Sequence, residues 1–319
     1  MGRGRTVTDA AAVAAALDGA RRVAVYCHVR PDADTLGSGL GLARVLRARG
    51  VEVSVSHPGP ALPSGIGGLP GVDDFGAPLA DADVAVAVDC ASAERLAGLE
   101  ESFNAHPVRV VIDHHATNPG FGTVDLVDPA ANCTTELVLA VIDALGAELD
   151  PGTADCLYAG LVTDTGSFRW STPAGHVMAG RLLAAGAQGR ALARDLLDSH
   201  PRAWFSMVAA VLGSAKAVPE AFGGRGAVYA VCRAVDRGPL GWDAAESLID
   251  LLRTAEDCEV AALFKESDSG EWSASLRART DLDVSELARG FGGGGHRLAA
   301  GYSATGTGDD VVSAFLARV

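Results

Sequence analysis

Basic charge is in short supply in this 319-residue chain, with 26 lysines and arginines against 40 aspartates and glutamates and a formal net charge of −14. A protein that tracks long DNA or RNA draws most of its affinity from neutralising phosphates, and no basic stripe is visible here. Long nucleic acid is therefore excluded as a partner, whereas a small phosphorylated ligand, held by a few arginines and metal ions, is not. Aromatic residues are equally scarce at 5%. The cysteines Cys27, Cys90, Cys133, Cys156, Cys232 and Cys258 form no CxxC pair, which argues against a zinc ribbon, a redox motif or a disulfide scaffold. No segment approaches the roughly 18 apolar residues of a membrane span, and no signal-peptide core is seen near the N-terminus. The expectation is a cytoplasmic protein with no membrane partner.

What is present is ordinary globular material, 48% hydrophobic and 21% charged, long enough for two cores. An alanine-rich helix is expected over residues 8–20, followed by the apolar run Val23 to Cys27 and a helix from Leu36 to Arg49 stopped by Gly50. Val51 to Val55, Val84 to Val88 and Val108 to Ile112 read as further strands, with a Gly/Pro-rich loop between Pro58 and Gly71. Continuous apolar strands separated by helical segments predict a parallel sheet covered on both faces. Helices follow at Thr134 to Leu145, Gly152 to Leu161 and Gly175 to Ala185, then a helical connector from about Gly186 to Ala217. A second alternation has strands at Val228 to Cys232, Glu259 to Phe264 and Trp272 to Arg279, and helices at Trp242 to Arg253 and Val284 to Arg289. The expected architecture is two α/β domains, 1–200 and 201–319, the first with a parallel sheet and the second smaller and mixed.

Three of the apolar strands run directly into acidic or imidazole residues. The first leads to His28, Asp32 and Asp34, the second to Asp89, and the third to Asp113, His114 and His115. Ligands of open parallel sheets bind beyond the carboxyl ends of the strands, so these residues should converge. Asp164, after a short apolar helix, can reach the same place. Taken singly, each has a plain structural role, such as a helix cap or a hydrogen-bonded histidine; their coincidence at three strand ends points to metal. Pro31 rules out the helical spacing of a zinc protease. Oxygen ligands with a minority of imidazole suit manganese or magnesium, and two divalent cations balance Asp32, Asp34, Asp89 and Asp164. A paired site of this kind clamps a phosphoryl group and supplies hydroxide at neutral pH.

The ordered set His28-x-x-x-Asp32-x-Asp34, Asp89, Asp113-His114-His115 and Asp164 resembles the four motifs of the DHH phosphoesterase superfamily. Gly292 to His296, with Ala299-Ala-Gly301 behind it, resembles the associated DHHA1 domain. Within the superfamily the set is similar to nanoRNases that also act as 3′,5′-bisphosphate nucleotidases, some of which cleave cyclic or linear dinucleotides. The resemblance implies one cation held by His28, Asp32 and Asp89 and another by Asp34, Asp89, His114 and Asp164, with manganese foremost and magnesium or cobalt as substitutes. It implies that His115 contacts the scissile phosphate or assists proton transfer, and that Asp113 orients an imidazole. It further implies a nucleotide end bound by Ser275, Arg277, Gly294, Gly295 and His296, an active site in the interdomain cleft, and a homodimer. Substrates would be di- to pentanucleotides and adenosine 3′,5′-bisphosphate. Two departures leave substrate preference open: Ser167 stands where related sequences often carry a basic residue, with Arg169 two positions later, and Asn132 to Thr135 matches the family only loosely. A manganese pyrophosphatase shares the first-half motifs but not the glycine–histidine segment. A processive exonuclease would need more basic charge, and a non-catalytic cyclic-dinucleotide binder would not need every ligand position intact.

Overall fold

The structure is a computed structural model that describes residues 9–59 and 62–319. Thr8, where the first helix was expected to begin, and Pro60 and Ala61 of the expected loop lie outside these residues, as does the start of the segment in which no signal-peptide core is seen. The chain divides into two compact units, one through Ser199 and one comprising His200–Val319.

The first unit holds five parallel strands: β1 (Arg22–Tyr26), β2 (Glu52–Ser56), β3 (Val84–Val88), β4 (Val108–Asp113) and β5 (Val124–Val127), in the order β2-β1-β3-β4-β5. All five residues of β3 are buried, as a strand covered on both faces requires. Its helices are α1 (Ala10–Leu17), α2 (Ala33–Ala48), α3 (Glu100–Asn104), α4 (Thr134–Ala144), α5 (Pro151–Asp164), α6 (Pro173–Ala184) and α7 (Gly189–Leu197). The helix α2 starts three residues before the expected Leu36, because the Asp32 carboxylate accepts the N–H groups of Asp34 and Thr35, 3.1 Å each, and caps it. Glycine lets α2 lie close on α5: a Cβ on Gly37 would sit 2.2 Å from the Cys156 carbonyl oxygen. The helix α5 continues past the expected Leu161, so Asp164 is its last residue.

In the second unit, six strands run in the order β10-β11-β9-β8-β7-β6. They are β6 (Lys216–Val218), β7 (Ala227–Cys232), β8 (Val260–Glu266), β9 (Trp272–Ala278), β10 (Gly294–His296) and β11 (Ala299–Ala304). Only β7 and β8 pair in parallel. The helices are α8 (Arg202–Gly213), α9 (Ala221–Gly224), α10 (Ala234–Arg237), α11 (Leu248–Leu252), α12 (Val284–Arg289) and α13 (Gly308–Leu316). Met207, Val211, Leu248 and Ile249 of α8 and α11 pack on Val228, Ala230, Ala261 and Leu263 on one face of the sheet. Val284, Ala288, Val311 and Phe315 of α12 and α13 cover the other. The single helix expected over Trp242 to Arg253 is instead a 3₁₀ turn, Trp242–Ala245, followed by the short α11. Within the glycine run, Gly294–His296 forms a strand against β11.

Candidate active site

In the order β2-β1-β3-β4-β5, the chain leaves β1 towards β2 on one side and returns to β3 on the other, so the strand ends of β1 and β3 flank a topological switch point. His28 follows β1, Asp89 follows β3, and Asp113 ends β4 with His114 and His115 behind it. Thr35 ties the first two ends together: its hydroxyl donates to the Val88 carbonyl at 2.9 Å and accepts the His28 N–H at 3.3 Å.

Asp89 occupies the middle of the cluster, and its backbone adopts φ 60°. A non-glycine residue in this left-handed region costs on the order of 1–2 kcal/mol, the kind of strain that collects at functional sites. Its Oδ2 lies 3.3 Å from His28 Nε2, whereas its Oδ1 accepts the Thr134 hydroxyl at 2.8 Å and lies 3.7 Å from His114 Nε2. The two oxygens therefore face opposite imidazoles. Among the described residues, His28, Asp32 and Asp89 bring one potential ligand atom each within 4.8 Å of one another, as do Asp34, Asp89 and His114. Asp89 belongs to both groups, and to a third with Asp113 and His115. Asp164, at the end of α5, lies 3.3 Å from His114 Nε2.

Asp34 is fully buried and accepts the N–H groups of Thr134 and Thr135 at 2.7 and 3.0 Å. These are first-turn donors of α4, whose N-cap residue Cys133 makes no side-chain cap. Burial, with Asp164 and Asp89 close by, still raises the Asp34 pKa well above the ordinary carboxylate value. Burial opposes charge on the imidazoles, but the carboxylates prevail: Asp32 and Asp89 raise His28 to about 9, and Asp164, Asp34 and Asp89 raise His114 to about 11. Protons thus neutralise part of a concentrated negative charge, which is the task of divalent cations in a site with these donors. The Nδ1 of His28 is 2.9 Å from both the Val29 carbonyl and the Arg95 guanidinium. It cannot donate to one while accepting from the other; assigning the proton to Nδ1, donated to Val29, leaves a lone pair on Nε2 for a cation.

His115 is held differently. Its Nδ1 donates to Asp113 Oδ1 at 2.8 Å, and the buried Asn118 amide donates to Asp113 Oδ2 at 2.6 Å and to the Cys90 carbonyl at 2.9 Å. Both oxygens of Asp113 are thus engaged, and the bond to His115 places a proton of that ring on Nδ1. Asn118, Thr35, Thr134 and Arg95 escaped the sequence reading. Only Asn118, within an Asn-Pro-Gly turn shortly after the histidines, carried a local signal.

In the second unit, the strand ladder places Ser275 beside Gly301 and Gly301 beside Gly294, and Arg277 beside Ala299 and Ala299 beside His296. Directly paired residues share a face of the sheet, so Ser275, Arg277, Gly294 and His296 lie on one side, over small residues. Gly295 is in the intervening row, opposite Ala300. The glycines also meet a packing demand, because a Cβ on Gly293 would sit 2.1 Å from the Gly301 carbonyl oxygen. Arg277 Nε is 3.6 Å from Asp250. In the first unit, Arg169 donates to the Gly166 carbonyl at 2.7 Å and its guanidinium lies over the Trp170 ring.

The N-terminal domain of the DHH family matches residues 22–161, and the DHHA1 domain matches residues 224–319. A Thermus thermophilus protein named bifunctional oligoribonuclease and PAP phosphatase NrnA is 32% identical over 289 residues, covering 88% of this chain and 84% of its own. The protein of that name from Bacillus subtilis is 24% identical, covering 88% of each chain. The crystal structure of an exopolyphosphatase-related protein from Bacteroides fragilis shares the fold, with a TM-score of 0.84 at 23% identity over 97% of this chain and 94% of that one. With both domains matched in order over a chain that carries the four acidic and imidazole motifs, this protein belongs to the DHH family of phosphoesterases, with DHHA1 as its second domain.

Proposed function

We propose that this protein hydrolyses phosphate esters of very short nucleotides, releasing 5′-mononucleotides from di- to pentanucleotides and removing the 3′-phosphate of adenosine 3′,5′-bisphosphate. The observation that carries this reading is that Asp89 joins His28 and Asp32 in one ligand group and Asp34 and His114 in another. His28, Asp32 and Asp89 hold one divalent cation, and Asp34, Asp89, His114 and Asp164 hold the other, with manganese preferred to magnesium or cobalt. When bound, such a pair supplies Lewis acidity and hydroxide at neutral pH.

The chain's own groups do the rest. Asp113 fixes His115 so that its Nε2 faces the phosphoryl group and moves a proton there. Ser275, Arg277, Gly294, Gly295 and His296 take the far end of the nucleotide through hydrogen bonds and one guanidinium charge. The names of the Thermus and Bacillus relatives support oligoribonucleotides and adenosine bisphosphate as substrates, and the net charge of −14 disfavours longer nucleic acid. Linear and cyclic dinucleotides fall in the same chemical class. Six buried free cysteines suit the reducing cytoplasm, and a homodimer is the state the family resemblance implies.

The test is a product-resolved assay of the full chain with Mn²⁺, Mg²⁺ and Co²⁺. Its substrates are linear and cyclic diadenylate and diguanylate, short RNA, adenosine bisphosphate and, as a control, pyrophosphate. Mononucleotide release from dinucleotides, strongest with Mn²⁺, is expected. Binding without release, or hydrolysis of pyrophosphate alone, would overturn the proposal.

A further inference from the structure

One buried cation in the second unit has no part in the chemistry described so far. Lys265 lies near the end of β8, directly paired with Ser273 of β9 and Cys232 of β7, so its side chain shares a sheet face with Ser273 and Ser275. Only 8% of the residue is exposed. Its Nζ donates to Ser275 Oγ at 2.9 Å and forms an ion pair with Glu246, which follows the 3₁₀ turn at Trp242–Ala245. A buried ammonium is costly unless it is paired and hydrogen-bonded, and this one is both. An apolar residue would fill the position at lower desolvation cost, since neighbouring Ala261 and Leu263 on the same strand face pack into the core under α8 and α11.

We propose that Lys265 is a positioning residue for nucleotide binding: by donating to Ser275 Oγ it directs the serine hydroxyl proton towards the open, glycine-floored face beside it, where that proton meets a phosphate oxygen. This rests on the reading that Ser275 binds substrate. A serine hydroxyl has one proton and two lone pairs. With a lone pair committed to an ammonium, the hydroxyl faces a phosphate as a donor, and phosphate oxygens at neutral pH are acceptors. On the side away from β8, Ser275 pairs with Gly301 and Gly301 with Gly294, so no side chain from those two positions covers it. Glu246 holds the ammonium from the other side.

The test is steady-state kinetics of the full chain with Mn²⁺ on a linear 5′-phosphorylated diadenylate, comparing Lys265→Met, Lys265→Arg, Ser275→Ala and the double variant Lys265→Met/Ser275→Ala. Lys265→Met should raise KM about tenfold, as loss of a charged hydrogen-bond partner does, with kcat held within about twofold. Lys265→Arg should recover most of the loss. The double variant should be little worse than Ser275→Ala, because the lysine acts through the serine. An unchanged KM in Lys265→Met beside a raised KM in Ser275→Ala would overturn the inference and leave the functional reading intact. An unchanged KM in Ser275→Ala would instead remove Ser275 from that reading, and the inference with it. If Lys265→Met fails to fold, Glu246→Gln, which loosens the ammonium's other anchor, decides: a raised KM with kcat preserved supports the role, and an unchanged KM refutes it.

Discussion

The two units place polar side chains by different means. In the first, the groups gather at the ends of three adjacent parallel strands, where backbone amides and neighbouring side chains hold them. Asp34 accepts two amides of α4, Asp89 is set by a left-handed backbone, and Asp113 is occupied on both oxygens. Most of these residues are buried. In the second unit, antiparallel register alone puts Ser275, Arg277, Gly294 and His296 on one partly exposed face with small residues between them. Burial combined with hydrogen bonds from backbone and side chains suits chemistry that needs fixed charge. A half-open face of small residues that carries one long, adjustable arginine suits recognition of a ligand end.

That contrast can be broken by mutation. The largest effect should come from Asp89→Ala, which removes the carboxylate common to both ligand groups. It should lower kcat/KM by about 10³-fold or more, roughly 4 kcal/mol, and retained turnover in a steady-state assay would refute the shared site. Asp113→Asn should lower kcat by roughly 10–100-fold with KM nearly unchanged, because His115 loses the acceptor that sets its tautomer. Arg277→Ala should do the reverse, raising KM about tenfold while kcat stays within about twofold. A loss of kcat in Arg277→Ala, or a KM effect in Asp113→Asn, would dissolve the division of labour between the units.

A smaller effect sharpens the electrostatic half of the comparison. In metal-free protein, His28, at about 9, and His114, at about 11, carry protons at pH 7. A cation needs both imidazoles neutral, so binding at pH 7 must release protons, and affinity must rise with pH through 9, where His28 loses its proton, and on towards 11, where His114 does. Calorimetric titration of Mn²⁺ in two buffers of unlike ionisation enthalpy should report this release; the same heat in both would contradict it.

The sequence made part of this arrangement plain. The run Val84 to Val88 is apolar throughout and forms a fully buried strand, Val108 to Ile112 is buried from Val110 onward, and the acids and histidines that follow them sit where a parallel sheet opens to a ligand. The strand β5 was missed because it has only four residues and opens with two that are half-buried. The strands β10 and β11 were hidden by glycine and alanine, which carry little strand signal until the register brings them together. The split of Trp242 to Arg253 into two short turns depends on tertiary packing. The Thr134 contact could not be read locally, since it meets a carboxylate 45 residues away, nor could the bond of Asn118 to a carbonyl 28 residues away, although its Asp113 partner is close in sequence. Nor does composition disclose that Asp89 takes a backbone conformation that usually favours glycine.

The central claim is most directly tested by anomalous diffraction at the manganese edge from crystals of the full chain grown with Mn²⁺. Two peaks are predicted, one among His28, Asp32 and Asp89 and one among Asp34, Asp89, His114 and Asp164, with Asp89 touching both. A single peak, or two that share no carboxylate, would contradict it.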